Sequence, residues 1–127
     1  MEEKKKYDLE ERLIDFAVMI IKITESINKN LAGSHLAGQL VRSGTSPALQ
    51  YGEAQSAESR NDFIHKLKIL LKELRETRVG LRIIERTALT DKTDLIGKAQ
   101  AECNELISIF VKSIDTTRKN NIKANSK

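Results

Sequence analysis

From Phe63 to Leu81 the apolar residues Phe63, Leu67, Leu70, Leu74 and Leu81 recur at helical spacing, and no proline interrupts them. A strand would scatter these side chains over both of its faces, whereas a helix gathers them on one stripe. A second line on the same segment holds His65, Ile69, Glu76 and Ile83, set apart from the first by Glu73, Thr77 and Gly80. The first predicted helix repeats the pattern. Leu9, Leu13, Phe16, Ile20, Ile23 and Ile27 form one stripe, while Tyr7, Ile14, Val18 and Ile21 fall nearly opposite. A helix with two apolar faces has two packing partners, one within the subunit and one beyond it. The reading is therefore a self-associating helical bundle, with Ile14, Val18, Ile21, Ile69 and Ile83 as subunit-interface residues; a thick core wrapping both helices is the alternative.

Composition supports one all-α domain. With 6 Gly and 1 Pro in 127 residues the chain has few breakers, and 31% charged residues against 4% aromatics suits long amphipathic helices. A chain this long buries roughly two-thirds of its unfolded surface, enough for an independent core. The longest apolar run, Phe16 to Ile21, ends at Lys22 and is far short of the roughly 20 residues that span a bilayer. The start, MEEKKKYDLEERL, is charged throughout and does not read as a secretory leader, and a single Cys103 forms no intramolecular disulfide. Both point to the cytoplasm, with no membrane contact.

Four helices follow from start and stop signals. Asp8 with Glu11 makes a capping-box-like start for a helix reaching about Asn28. Gly33 or Ser34 opens the second, which lasts to about Gln55, with a kink or short break expected near Gly44 to Ser46 because Pro47 removes a backbone donor. Ser59 and Asp62 cap a third helix to about Thr87. Asp91 and Asp94 cap a fourth to roughly Arg118, leaving residues 119–127, KNNIKANSK, as a polar basic tail expected to be disordered. Residues 1–118 then form one domain. Short connections make successive helices antiparallel, an up-down four-helix bundle. On the second helix Ala37, Val41, Gly44, Ala48 and Gly52 make a strip of small side chains that lets a neighbour approach closely.

Charge is uneven along the chain. Residues 1–30 carry a net charge of -1 and residues 58–90 a net of +3. Lys68, Lys72, Arg75, Arg82 and Arg86 fall within about a quarter of the helical circumference, a stripe able to track phosphates through counterion release. The bland account is a solvated face balanced by Glu73, Glu76 and Glu85, or Arg–Glu pairs between subunits. Without interleaved aromatics the stripe offers no stacking platform for sequence-specific single-strand recognition.

Enzymatic chemistry finds no support. Cys103 shares a side with Ala99, Leu106 and Phe110 and reads as a small core residue. Asp62 and His65 make one Asp-x-x-His pair, whereas a di-metal bundle needs such a pair on two helices plus further carboxylates. His35 reads as a capping or solvent-facing residue. No phosphate-binding glycine loop or paired catalytic carboxylates are present, so the expectation is a non-enzyme with no metal and no cofactor.

Four blocks lie in order: QLVRSGTS (Gln39 to Ser46), YGEA (Tyr51 to Ala54), ESRNDFIHKL (Glu58 to Leu67) and KELRET (Lys72 to Thr77), with weaker similarity at DLEERLIDFA (Asp8 to Ala17). In these the chain resembles the bacterial family of four-helix-bundle proteins encoded within intervening sequences of large-subunit ribosomal RNA genes. The resemblance implies an antiparallel four-helix bundle assembled as a ring-like homopentamer. It extends distantly to the accessory protein of diversity-generating retroelements, which binds nucleic acid and a reverse transcriptase. The chain departs from the pattern at Pro47 and Gln50, where many relatives have an aliphatic residue and an Asn. Within the blocks, Arg42 or Arg60 pairing with Glu53 would make a structural ion-pair network at the junction of helices two and three. Two functional classes remain: an RNA- or DNA-binding ribonucleoprotein accessory, with a nucleic-acid enzyme such as a reverse transcriptase as a further partner, or an oligomeric scaffold that binds only protein.

Overall fold

The computed structural model describes residues 8–125, and among them there are four helices and no strand: α1 (Leu9–Ser26), α2 (Leu31–Ala54), α3 (Arg60–Thr87) and α4 (Thr93–Asn125). Each helix packs on the next, and α1 also packs on α4, so the four close on one another. At one end the two short connectors meet. Asn28 N–H donates to the Leu89 carbonyl at 2.8 Å, and the Ser26 and Thr90 hydroxyls share a hydrogen bond.

The caps explain where the helices begin. Asp8 accepts from Glu11 N–H at 3.1 Å, and Ser59 accepts from Asp62 N–H at 3.0 Å, as the sequence predicts. The second helix starts earlier than Gly33 or Ser34 because Asn30 is its cap, accepting from Gly33 N–H at 2.8 Å. A Cβ on Gly33 would lie 1.7 Å from the Asn28 carbonyl oxygen, so the α1–α2 turn closes only on a glycine. Ahead of α4 the Thr90 hydroxyl, rather than Asp91, accepts from Lys92 N–H at 3.1 Å.

Three expectations need correction. The break near Pro47 does not occur: α2 is uninterrupted from Leu31 to Ala54, with Pro47 buried inside it. An internal proline costs a helix about 3 kcal/mol, a cost that burial between neighbouring helices offsets. Residues 119–125 are not a disordered tail but continue α4, and Arg60 Nη1 donates to the Asn120 carbonyl at 3.0 Å there. Residues 126–127, like Tyr7 and the rest of 1–7, lie outside the described residues. The small-residue strip is also only partly right. Gly44 is the close approach, where an added Cβ would come within 2.6 Å of the Ile20 side chain, but Val41 and Gly52 are exposed. The buried face of α2 runs instead through Gly33, Leu40, Ser43, Gly44, Pro47 and Ala54.

The core is continuous across all four helices. Leu13, Phe16, Ile20 and Ile23 come from α1, Leu67, Leu70, Leu74, Leu81 and Ile84 from α3, and Ala99, Cys103, Leu106 and Phe110 from α4. Tyr51 of α2 meets Phe110 edge-on, with ring centroids 5.7 Å apart. Phe63 is only half-buried and Ile64 takes the core position beside it. Thr77, read from sequence as a divider between two stripes, is wholly buried. Its hydroxyl lies 2.9 Å from the Ser43 hydroxyl and 2.8 Å from the Glu73 carbonyl, which satisfies both side chains at the α2–α3 contact.

Candidate functional site

The cationic stripe is built on the outside of α3. Leu67, Leu70, Leu74 and Leu81 commit one side of that helix to the core, so Lys68, Lys72, Arg75, Arg82 and Arg86 on the opposite side are all exposed. None of the five enters an ion pair among the described residues. Two of the acids that might neutralise them are ion-paired elsewhere, and the third is hydrogen-bonded to a neutral side chain. Arg42 of α2 takes Glu73 at 3.0 Å and also Glu76, while Glu85 accepts from Gln100 Nε2 of α4 at 3.2 Å.

Those pairs also correct the predicted ion-pair network. Arg42 and Glu53 lie roughly three turns apart on one helix, too far along the axis to meet. Arg42 instead bridges the middle of α2 to the middle of α3, Glu53 pairs with Lys66 at 3.4 Å, and Arg60 reaches the Asn120 carbonyl of α4. The motif-bearing blocks therefore contact each other: Arg42 and Ser43 of QLVRSGTS meet Glu73, Glu76 and Thr77 of KELRET. Their work is to dock α2 on α3.

Beside the stripe, α3 and α4 part to leave an open groove of about 720 Å³. Leu71, Ile107, Val111 and Ile114 form its apolar floor, and Lys68, Arg75, Lys112 and Arg118 its rim. Its one acid, Asp115, pairs with Lys119 at 3.1 Å. Nothing in the sequence of α4 alone distinguishes Lys112 and Arg118 from its other cations; only the packing of α3 alongside brings them to Lys68 and Arg75.

On the other side of the molecule the surplus apolar line of α1 is exposed: Ile14 by 41%, Val18 by 45% and Ile21 by 39%. Ile83 of α3 is exposed as well, whereas Ile69 is half-buried. Arg12 falls on the inward side of α1 and donates through Nε and Nη2 to both oxygens of Glu102 of α4, at 3.0 and 2.7 Å, with Glu105 at 3.2 Å. The hydrogen bond to Glu102 raises the pKa of this guanidinium above its ordinary value, against the opposing effect of burial. A basic residue among Leu9, Leu13 and Phe16 was the signal in the sequence for this acidic partner.

Other reactive groups have structural roles. Cys103 is buried, 3.2 Å from the Leu74 carbonyl, and burial pushes its thiol up to about 12. The thiolate that nucleophilic chemistry requires is thus suppressed. Asp62 accepts from Glu58 N–H at 3.4 Å as part of the cap on α3, and His35 is exposed. Among the described residues no group of three or more His, Cys, Asp or Glu side chains converges as a metal site, and no helix is long and apolar enough to cross a membrane.

Fold and surface together define an all-helical protein whose distinguishing exterior is cationic. The chain belongs to the 23S rRNA-intervening sequence protein family, whose model matches residues 5–115. A crystal structure of a protein of unknown function from the S23 ribosomal protein family of Bacteroides thetaiotaomicron superposes with a TM-score of 0.70 at 30% identity, covering 83% of this chain and 96% of that one. No curated protein matches the chain.

Proposed function

We propose that this chain is a non-enzymatic, self-associating accessory protein, a homopentamer in its assembled form, that binds the phosphate backbone of RNA through the outer face of α3. One observation carries the reading: Lys68, Lys72, Arg75, Arg82 and Arg86 share an exposed face and enter no ion pair among the described residues, while Glu73 and Glu76 are held by Arg42. Unneutralised cations on a rigid helix attract phosphate without reading sequence, and repetition around an oligomer turns a modest patch into a large one. Membership of a family encoded within ribosomal RNA genes makes RNA the first nucleic acid to try. The exposed line Ile14, Val18 and Ile21 supports self-association, since a contiguous apolar strip on a folded domain marks a contact surface.

The test is the salt dependence of binding to structured RNA. Wild-type affinity should fall steeply with salt, and charge reversal of Lys72, Arg82 and Arg86 should weaken it and flatten the log–log slope by about one for every phosphate that is no longer neutralised. The oligomer mass should not change in that variant. An intact oligomer that shows no salt-sensitive retention of RNA or DNA at low ionic strength would leave the protein-binding scaffold as the function.

A further inference from the structure

We propose that the outer face of α1 of one copy of this chain seats in the α3–α4 groove of a second copy. The inference rests on the self-association read above and supplies its contact. Both surfaces are incomplete in the single chain. Ile14, Val18 and Ile21 form a ridge two turns long, roughly 10 Å, projecting away from the core that α1 shares with its neighbours. In the groove Val111 is 43% exposed above Leu71, Ile107 and Ile114, which are already buried, so Val111 is the apolar seat the groove leaves open.

Charge decides the pairing. Glu10, Glu11, Asp15 and Glu25 are exposed on α1, and none of them enters an ion pair among the described residues; Lys22 is the single exposed cation on this helix. The groove rim is the converse: among the described residues Lys68, Arg75, Lys112 and Arg118 are exposed and enter no ion pair, and the one acid, Asp115, is answered by Lys119. An apolar ridge with acidic flanks and an apolar trough with basic flanks complement each other in shape and sign. Two α1 faces brought together would instead set acids against acids, and two grooves cations against cations.

Ridge and groove are different surfaces, so the contact is heterologous: each copy offers its ridge to one neighbour and its groove to another, which closes into a ring when the rotation allows. A nucleic acid fits the groove less well than α1 does, because a phosphate backbone has no apolar ridge to cover Val111, the exposed part of the floor. Docking would draw Lys68 and Arg75 into the subunit contact. Lys72, Arg82 and Arg86 would stay on the outside of the assembly.

Charge reversal with rescue tests this by light-scattering mass, with far-UV circular dichroism reporting helicity. Lys112→Glu with Arg118→Glu should reduce the mass to that of one 14.3 kDa chain at unchanged helicity, and so should Asp15→Lys with Glu25→Lys. All four substitutions in one chain should restore the wild-type mass. Val18→Asp, which attacks the ridge without touching the rim, should also yield single chains. A Lys112→Glu/Arg118→Glu variant that keeps the wild-type mass overturns the inference, and if it has lost salt-sensitive RNA retention the groove is a nucleic-acid site instead. Four substitutions that leave single helical chains overturn the pairing of these two faces. Wild-type protein that is itself a single chain overturns self-association and this contact together.

Discussion

The α1–α2 contact and the α3–α4 contact are both antiparallel helix pairings in one small domain, yet one is closed and the other is open. At the first, Gly44 removes a side chain where Ile20 needs the space. At the second, the helices touch through Leu74, Cys103 and their neighbours but part farther out, where Lys68, Arg75, Lys112 and Arg118 rim an apolar floor. Close packing tolerates no added volume, while a cation-rimmed trough stays available to a partner. The contrast separates a contact that specifies the fold from one that leaves surface to use.

Substitutions can break that contrast. The largest effect is expected for Gly33→Ala at the turn feeding the closed contact, because its Cβ would meet backbone rather than a yielding side chain. A loss of about 3 kcal/mol or more in urea unfolding is expected, at the upper end of overpacking costs. Gly44→Leu should cost about 1–3 kcal/mol. Ile20→Ala in the same chain should recover part of it, and strict additivity of the two changes would show that they do not touch.

Arg12→Ala tests the α1–α4 side of the bundle. Both oxygens of Glu102 lose their donors in a partly exposed setting, so a decrease of about 1 kcal/mol is expected in the same urea unfolding measurement. The smallest effect belongs to the groove. Val111→Thr, measured on protein diluted to single chains, should change stability by no more than about 0.5 kcal/mol, as surface substitutions do. A cost there equal to that of Gly44→Leu would mean that the groove is as closed as the α1–α2 contact.

The helices were legible because their signals are local. A side-chain acceptor three residues before the amide it caps, as with Ser59 and Asp62, needs no knowledge of the rest of the chain, and the stripes of α1 and α3 follow from a fixed rotation per residue. The same rotation placed the five cations of α3 on one outward face. The break expected at Pro47 and the end of α4 were misread because a local rule met a tertiary override: α2 runs on through its buried proline, and contact with Arg60 accompanies α4 past Arg118.

The sequence by itself thus determined four amphipathic helices, the outward apolar line of α1, the outward cations of α3, the family and the burial of Cys103. Tertiary structure alone decided that Arg42 meets Glu73 and Glu76, that Thr77 is interior beside Ser43, and that Lys112 and Arg118 join Lys68 and Arg75 around one groove. The physical reason is that periodicity reports the angle of a side chain about its own helix axis, whereas a partner on another helix depends on the axial offset and spacing between the two, and these are set by packing such as that of Gly44 against Ile20.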